Sequence, residues 1–395
     1  MKNVIIVNDF DYVQGGASKV ALDTAEILKD SYNVTFFSAV SDNKTKNSKI
    51  NFVSTNQQEA LKDKNKIRGF INGLYNFTAA KELKKLLKEY NPNDTTIHIH
   101  GWTKALSSSI FRVAFKKNYK VVLTLHDYFT ACPNGGYFNY KENRICKLNP
   151  LSIKCNVCNC DSRNYFFKLY RIIRQFIQNK IVKLNTRLEY AIGISDLNMK
   201  VLKDNLPNAT TRKILNPIDL DLDYSFNIKN DYYLYLGRVS KEKGVEIFAS
   251  TMQKYNKKAI VVGDGSELER LKIKYPNVSF VGWKDKNEIQ KYLKNAKALV
   301  LPSLWYEGAP LTPLEAMSFG IPCIISNLCA GREYITNNGY VFDPYVENDL
   351  IEKIDMLESN IEKCSLNSFE YVKKYDKDNY LKEISKFYNY ILKKK

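Results

Sequence analysis

The sequence predicts an α/β protein made of two Rossmann-like domains, each a doubly wound parallel sheet, that face a central cleft. Short runs of β-branched and aromatic residues alternate with segments of helical period, which is the pattern of parallel sheets covered on both faces. The alternation starts again after NPID (216–219), so the chain contains two successive series. With 395 residues the chain is also too long for one ordinary hydrophobic core.

The two series define the predicted domains. The strand-like runs of the first series are VIIVN (4–8), VTFFSA (34–39), TIHIHG (96–101), VVLTLH (121–126) and AIGIS (191–195). Those of the second series are YYLYLG (232–237), AIVVGDG (259–265), VSFVGW (278–283), ALVLPS (298–303), IPCIIS (321–326) and GYVFD (339–343). We therefore predict an N-terminal domain over 1–215 and a C-terminal domain over 216–375, with a last helix at 376–395 that packs back on the first domain.

The composition is that of a globular protein, with 44% apolar residues. No apolar run approaches the ~18–20 residues that would span a bilayer. The opening MKNVIIVNDF has too short an apolar stretch for a signal peptide and predicts a first strand instead. We therefore expect a cytoplasmic protein whose 8 cysteines stay reduced.

Positive charge is concentrated in the first half of the chain. Residues 1–220 contain 34 Lys+Arg and 18 Asp+Glu, and residues 101–200 alone contain 17 and 5. Such a basic surface suits phosphate-rich or anionic-lipid partners. The alternative is general solubility charge, because the whole composition is rich in Lys and Asn.

Candidate binding residues follow the ends of several strands, where ligands bind in open α/β sheets. Gly15 and Gly16 precede a helix and would let backbone N–H groups approach a phosphate, although a simple turn is the alternative. Arg238 and Lys243 flank a turn and could neutralise a diphosphate, although a solvated basic turn is the alternative. Gly263 follows the next strand, where a turn with a helix cap explains the glycines equally well.

The stretch YEGAPLTPLEAMSFG (306–320) carries two glutamates around a loop that enters a helix. Thr312 and Glu315, with a proline between them, form the pattern of a capping box, which would explain Glu315 structurally. Glu307 lies outside that pattern. The N–H groups near Leu311 and Thr312 are expected to be free at the helix start, and both glutamates can accept hydrogen bonds from sugar hydroxyls.

Together these motifs resemble glycosyltransferase family 4 (glycosyl transferases group 1), a large retaining group with the GT-B fold. The resemblance covers nearly the whole chain. It rests on NDFDYVQGGASKVALDTAEIL (8–28), TLHDY (124–128), GISD (193–196), LNPID (215–219), GRVSKEKGVE (237–246), GDG (263–265) and EGAPLTPLEAMSFGIPCI (307–324).

The resemblance implies a nucleotide-sugar donor held mainly by the C-terminal domain and an acceptor held mainly by the N-terminal one. By position, Arg238 and Lys243 would neutralise the diphosphate, Glu307 would contact the transferred sugar, Glu315 would contact the ribose, and His126 would lie beside the reacting sugar. Of these, His126, Arg238, Lys243 and Glu307 are the candidate catalytic residues. The other implied donor-binding positions are Gly15, Gly16, Gly237, Gly263, Gly282, Trp283, Gly308, Ala309, Pro310, Leu311 and Thr312.

The implied chemistry is a front-face displacement that retains the configuration of the sugar. Breaking the bond to the diphosphate develops negative charge, which two cations and a helix N-terminus stabilise without a metal. We therefore expect that catalysis requires no cofactor.

His98, His100 and Trp102 in the segment HIHGW are candidates for the acceptor side of the cleft. The alternative is that the histidines are structural and satisfied by hydrogen bonds.

Five cysteines fall within 29 residues: Cys132, Cys146, Cys155, Cys158 and Cys160. The spacing of Cys155 and Cys158 is one that zinc and iron–sulfur sites use. A structural zinc or iron–sulfur site is one interpretation, and reduced, partly buried thiols in an acceptor-facing loop are the other. The Asp-x-Asp triplets at 219–223 lie in the predicted linker, so we do not assign a metal site there.

The segment 163–188 predicts a basic amphipathic helix. One face carries Phe166, Leu169, Tyr170, Ile173, Phe176 and Ile177. Such a helix can lie on an anionic membrane surface, and the alternative is an internal helix that packs on its sheet.

The expected function is sugar transfer from a nucleotide-diphosphate sugar to a glycan acceptor, such as a surface-polysaccharide precursor linked to polyprenyl diphosphate. The expected location is the inner face of the plasma membrane, as a peripheral protein. One rival is a sugar-nucleotide epimerase of the same fold, which would convert the donor without an acceptor. Another is a basic nucleic-acid-binding protein with a cysteine metal site, which would show steeply salt-dependent binding. We expect no nucleic-acid partner, because such a protein would not need phosphate-binding turns at successive strand ends.

Overall fold

A computed structural model describes residues 2–42, 44, 49–218 and 220–394. The strands are β1 (Asn3–Phe10), β2 (Asn33–Val40), β3 (Asn51–Ser54), β4 (Thr95–Ile99), β5 (Lys120–Thr124), β6 (Phe138–Asn139), β7 (Arg144–Ile145), β8 (Tyr190–Gly193), β9 (Thr210–Lys213), β10 (Tyr232–Leu236), β11 (Ala259–Val262), β12 (Ser279–Gly282), β13 (Ala296–Leu301), β14 (Cys323–Ser326) and β15 (Gly339–Phe342). The α-helices are α1 (Gly16–Leu28), α2 (Lys66–Leu74), α3 (Phe77–Leu86), α4 (Ser109–Lys116), α5 (Ile153–Val157), α6 (Tyr165–Phe176), α7 (Leu184–Arg187), α8 (Asp196–Leu202), α9 (Val245–Lys254), α10 (Leu268–Lys274), α11 (Lys286–Lys294), α12 (Thr312–Met317), α13 (Asp349–Glu358), α14 (Ile361–Val372) and α15 (Lys377–Lys393).

Two parallel sheets confirm the predicted fold class. The first has the strand order β3-β2-β1-β4-β5-β8-β9, and the second has the order β12-β11-β10-β13-β14-β15. Neighbouring strands are parallel in both sheets. Because helices cover both faces, central strands such as β1 and β10 are buried along almost their whole length, which explains their continuous apolar runs.

The structure adds β3 and β9 to the five strands predicted for the first sheet. Both lie at sheet edges, and their sequences NFVS and TTRK are short and largely polar. An edge strand lacks a neighbour on one side, so it does not need the apolar pattern by which buried strands are recognised.

Helix α15 crosses back to the first domain and packs against α1 and β4. Its apolar side chains Ile384, Phe387 and Ile391 are fully buried in the core under the first sheet. Two hydrogen bonds fix the helix there: Tyr380 Oη lies 2.8 Å from Thr24 Oγ1, and Tyr388 Oη lies 2.6 Å from Nδ1 of His98.

Polar contacts also join the two domains beside the cleft. The hydroxyl of Ser195 donates to the Gly308 carbonyl at 2.6 Å. The Glu333 carboxylate accepts from the backbone N–H groups of Asp196 and Leu197 at 2.9 and 2.8 Å. A side chain of the second domain therefore caps α8 of the first domain, and the two sheets are held with their strand ends facing each other.

Among the helices of the described residues, none has both the length and the apolar character needed to cross a membrane.

Candidate active site

A cavity of about 180 Å³ lies between the domains at the carboxyl ends of their strands. Its wall combines the start of α1, the segment after β5 and the loop after β13. The residues that line it are Gly16, Ala17, Val20, His126, Asp127, Tyr128, Gly135, Ile194, Asn216, Trp305, Tyr306, Glu307, Gly308, Ala309, Pro310 and Leu311. The structure thus brings Gly16 and His126 of the first domain together with the 307–311 loop of the second.

The loop after β13 presents free backbone donors. The N–H groups of Gly308, Ala309, Leu311 and Thr312 donate to no group in the described part of the chain. Helix α12 begins at Thr312, and no side chain caps its first turn, so the predicted capping box does not form. Without a protein partner, these donors are available to an anionic or hydroxyl-rich ligand.

Gly308 permits the close approach of the two domains. A Cβ atom at this position would lie 3.3 Å from Ile194 Cδ1 and 3.4 Å from the His126 carbonyl oxygen. Both contacts are with the first domain, so a larger residue here would push the loop away from His126.

Glu307 lines the cavity and forms an ion pair with Lys243, which is not itself a lining residue. The Ser303 hydroxyl donates to the second carboxylate oxygen of Glu307 at 2.5 Å. Burial opposes ionisation of this carboxyl, but Lys243, Ser303 and Arg238 outweigh burial and hold the pKa of Glu307 below its usual value. The predicted phosphate-binding cation and sugar-binding carboxylate therefore contact each other.

Arg238 does not line the cavity. Its side chain is 59% exposed, and it donates from Nη2 to Glu242 Oε1 at 2.8 Å. Glu242 is buried and also accepts from the Ser240 hydroxyl at 2.8 Å. The Glu242 carboxylate, within the turn after β10, thus holds the Arg238 guanidinium beside the cleft rather than in it.

Gly237 and Gly263 have a packing role. The Gly237 N–H donates to Val262, and the Gly263 N–H donates to Gly282, so neither donor is left for a phosphate. A Cβ atom on Gly263 would lie 1.9 Å from the carbonyl oxygen of Gly237. The sequence assigned both glycines to the donor site, but backbone packing between β10 and β11 already requires the glycine at 263.

Glu315, Gly282 and Trp283 lie beyond the cavity in the second domain. Burial raises the pKa of the Glu315 carboxyl, and Lys19 and Lys286 oppose that effect. Within the described residues no hydrogen bond to this carboxylate is formed. Gly282 adopts a φ of 72° with open space around its Cα, and Trp283 is 73% exposed. These positions leave room for the rest of an extended ligand.

The structure corrects two of the three predicted acceptor residues. His98 is fully buried and bonded on both ring nitrogens, to Tyr388 Oη at 2.6 Å and to Thr124 Oγ1 at 2.7 Å. Trp102 packs edge-on against Phe111 in the core, with 4% of its surface exposed. Neither side chain reaches the cleft. His100 is also buried, and it contacts His126 through the ring nitrogens at 2.9 Å.

Several cavity residues were not predicted individually from the sequence. Asp127 and Asn216 belong to the motifs TLHDY and LNPID, but only His126 was singled out from the first of them. Burial raises the pKa of Asp127 to about 6. The centre of the Trp305 ring lies 5.6 Å from Lys243 Nζ. The sequence could have indicated Trp305 as a cavity residue only through its position directly before the Glu307 loop.

The clustered cysteines surround a buried lysine. Lys168 is fully buried, and its Nζ lies 3.6 Å from Cys155 Sγ and 3.3 Å from Cys160 Sγ. Within residues 2–42, 44, 49–218 and 220–394, no group of three or more His, Cys, Asp or Glu side chains is arranged to hold a metal ion. The zinc or iron–sulfur site stays a prediction, and Asp219 of the Asp-x-Asp pattern lies outside the described residues.

Helix α6 turns its polar face inward and its apolar face outward. Lys168 and Gln175 are buried, and Gln175 donates to the Thr130 carbonyl at 3.1 Å. Helix α2 lies alongside, where the Phe70 and Tyr170 ring centres are 4.7 Å apart. Together the two helices present an exposed apolar face, which consists of Ile67, Phe70, Ile71, Phe166, Leu169, Ile173 and Phe176. The alternative of an internal helix with its apolar face on the sheet is therefore wrong.

The two-domain fold with a cavity between its sheets has counterparts among known glycosyltransferases. The family described as "Glycosyl transferases group 1" matches residues 223–370. The chain is 34% identical over 137 residues to a UDP-Gal:alpha-D-GlcNAc-diphosphoundecaprenol alpha-1,3-galactosyltransferase of Escherichia coli, a match that covers 30% of this chain and 34% of the relative. The chain thus spans about a third of the length of that relative. An uncharacterized glycosyltransferase of Haemophilus influenzae is 25% identical over 88% of both chains.

A solved structure supports the fold over the full length. Sucrose-phosphate synthase from Thermosynechococcus elongatus superposes with a TM-score of 0.71, at 16% identity and with 100% of both chains covered. At this identity the likeness concerns the fold alone. Residues 223–370 therefore match the glycosyl transferases group 1, and the chain as a whole has the GT-B fold.

Proposed function

We propose that this glycosyltransferase moves a sugar from a nucleotide-diphosphate sugar, with retention of configuration, to a glycan acceptor on a polyprenyl diphosphate at the cytoplasmic face of a membrane. One observation carries the proposal: the free N–H groups of Gly308, Ala309 and Leu311 line one cavity with His126 of the other domain and with Glu307, which is paired with Lys243. A sugar and its departing diphosphate would need donors and a cation of this kind, which supports the proposal.

The size of the cavity favours a bound sugar with its adjacent phosphates. Its 180 Å³ is below the roughly 300–1,000 Å³ of typical ligand pockets. The nucleoside would therefore extend along the second sheet toward Glu315, Gly282 and Trp283, where the structure leaves open space. The uridine diphosphate donor in the name of the Escherichia coli relative supports this class of donor.

The charges support departure of a diphosphate without a metal. Donors that are fixed before the reaction stabilise developing negative charge without the cost of reorienting water. The start of α1 at Gly16 and the loop at Gly308 to Thr312 supply such N–H groups, and Lys243 supplies a full charge. Glu307 would then pass from Lys243 to the hydroxyls of the bound sugar.

The acceptor and the membrane location rest on the exposed apolar face and on the relative. Exposed cations close to these two helices in the sequence are Lys64, Lys66, Lys180 and Lys183. Exposed apolar side chains together with lysines suit a bilayer that contains anionic lipids. The diphosphoundecaprenol-linked acceptor in the name of the relative would be presented at such a surface. A membrane-bound acceptor and a membrane-binding face thus support each other, and both suit the synthesis of a surface glycan.

A thermal-shift screen with Lys243→Ala tests donor binding. Nucleoside diphosphates and sugar nucleotides of several bases are added to the wild type, to Lys243→Ala and to Lys241→Ala, whose lysine is exposed in the same turn. A ligand at about 100 times its Kd adds about 2.7 kcal/mol of stability. We expect one base to stabilise the wild type and Lys241→Ala, and to stabilise Lys243→Ala far less.

The same three proteins are compared in a transfer assay. Loss of a charge-stabilising group costs roughly 10²–10³-fold in rate, so Lys243→Ala should fall by that amount while Lys241→Ala stays near the wild type. Equal binding and equal turnover in all three proteins would overturn the proposal. Conversion of the donor without an acceptor would favour the epimerase.

A further inference from the structure

The chain contains only three histidines, and the structure places them in one line that ends at the cavity. The ring centres of His98 and His100 are 4.1 Å apart, and those of His100 and His126 are 5.2 Å apart. A single hydrogen bond of 2.9 Å joins Nδ1 of His100 to Nε2 of His126. The nitrogen of His126 that carries its proton therefore depends on the nitrogen of His100 that carries the proton there.

All three imidazoles are neutral near pH 7. Burial lowers the pKa of His98 to about 3 and that of His126 to about 4, and burial also lowers the pKa of His100 well below its usual value. A neutral imidazole carries one N–H and one lone pair, so one ring nitrogen donates and the other accepts. The bond between His100 and His126 therefore has two possible directions.

The surroundings of His100 distinguish the two directions. Its Nε2 is buried and has no hydrogen-bond partner among the residues that the structure describes. If His126 donated to His100, the proton of His100 would lie on this isolated Nε2, which would create a buried N–H without an acceptor. Such orphaned donors are rarer in proteins than orphaned acceptors. In the opposite direction, His100 has only a lone pair at Nε2, and its proton lies on Nδ1, which donates it to His126 Nε2.

This direction fixes the proton on His126. Its Nε2 accepts from His100, so its own proton lies on Nδ1. The Nδ1 atom is not among the buried unpartnered atoms and takes part in no hydrogen bond of the described residues. Since His126 lines the cavity, this nitrogen is the one left open to a ligand.

We propose that His100 is a positioning residue that holds His126 in the Nδ1–H tautomer, so that His126 offers an N–H donor, and not a base, to an oxygen of the donor substrate. The inference rests on the proposed function for the identity of that substrate, but the tautomer itself does not depend on it. Free histidine prefers the Nε2–H tautomer in water, so the proposal requires the protein to reverse that preference.

The test is a ¹⁵N-histidine NMR spectrum, in which three residues give three assignable patterns of ring couplings. We expect His126 to show the Nδ1–H pattern in the wild type. His100→Ala removes the donor and opens space for a water that can accept from Nε2, so we expect His126 to change to the Nε2–H pattern. His100→Asn places an amide donor near the former Nδ1, and we expect it to restore the Nδ1–H pattern. Far-UV circular dichroism and urea denaturation report that each variant is folded, because the His98 ring lies 4.1 Å from that of His100 and its signals will shift.

Kinetics supply the second measurement. Removing a catalytic donor outright costs roughly 10²–10³-fold, so loss of the tautomer alone should lower kcat by about 10-fold with little change in KM, and His100→Asn should recover most of it. A wild-type Nε2–H pattern on His126 overturns the inference, as does a folded His100→Ala variant that keeps the Nδ1–H pattern. If the predicted tautomers appear but no sugar nucleotide binds, the proposed function fails while the positioning role stands.

Discussion

At the scale of single residues, the main feature is that Lys243 and Glu307 neutralise each other across 64 positions of sequence. A sequence pattern can indicate that a strand end carries a cation, but it cannot show which carboxylate the cation will meet. The structure adds that Lys243 is already paired with Glu307. Under the proposed function a diphosphate competes with Glu307 for Lys243, which links departure of the diphosphate to release of the carboxylate.

This competition predicts opposite effects of Glu307→Gln on binding and turnover. The change leaves a largely buried ammonium without its counter-ion, which destabilises the empty protein. A nucleoside diphosphate restores the missing charge, so we expect it to raise the melting temperature more than in the wild type. Sugar transfer should fall, because the sugar hydroxyls lose a charged acceptor.

Glu269→Gln is the matched control, since Glu269 is exposed on α10. It should alter neither the ligand-induced shift nor the rate of transfer. If Glu307→Gln gave the wild-type shift, Glu307 would not compete for Lys243.

The position of a histidine on a strand does not decide whether its side chain is buried in the core or reaches the cavity. Side chains alternate between the two faces of a strand, and the fate of each face depends on what covers it. His98 points to the face that α15 covers, some 290 residues later in the chain, and this contact makes it a core residue. His100 points the same way but lies one step beyond the strand, where it reaches His126.

At the scale of elements, α6 is where sequence and structure differ most. Its helical period and apolar stripe were predictable, but periodicity does not say which face turns inward. Here Lys168, Gln175 and Arg174 face the protein, and they bind backbone carbonyls and thiols of the cysteine-rich segment. The apolar stripe is left outside, next to that of α2. The strands of the second sheet were predictable because burial on both faces imposes continuous apolar runs.

The exposed apolar face predicts reversible membrane binding that Ile173→Glu disrupts. Burying one isoleucine side chain is worth about 1.5–3 kcal/mol, so the variant should bind vesicles at least about 10-fold more weakly. Ile273→Glu makes the same change at an exposed isoleucine of α10 in the second domain. We expect that control to bind as the wild type does.

Co-sedimentation with vesicles of phosphatidylglycerol and phosphatidylcholine measures the effect, with pure phosphatidylcholine for comparison. Added salt should weaken binding, because the lysines close to these helices in the sequence act through screened charges. Equal binding of Ile173→Glu and Ile273→Glu would show that this face does not contact the bilayer.

At the scale of the whole molecule, α15 makes the first domain depend on the end of the chain. The helix buries its apolar residues under the first sheet, and its Tyr388 is bonded to His98. The stability of the first domain is thereby coupled to the proton state of a buried histidine. This coupling can be measured, because the histidine and the helix can be changed separately.

We predict that lowering the pH reduces the free energy of unfolding, and that His98 accounts for part of this loss. Burial lowers its pKa to about 3, whereas the unfolded chain has the ordinary value of about 6.5. Between these values the unfolded state binds more protons, so stability falls as pH falls, by up to about 1.4 kcal/mol per pH unit for one group. Asp127, whose pKa burial raises to about 6, acts in the opposite direction. The comparison must therefore be made between variants.

His98→Asn should show a smaller loss of unfolding free energy than the wild type between about pH 6 and pH 4, as measured by urea denaturation. Tyr380→Phe is the control, because it removes the bond to Thr24 from the same helix without changing a histidine. It should lower stability by about 1 kcal/mol at every pH and leave the pH dependence as in the wild type. If His98→Asn kept the full acid dependence, His98 would not be the group that links α15 to pH. The loss of stability in acid would then come from other groups, such as His100 and His126, whose pKa values burial also lowers.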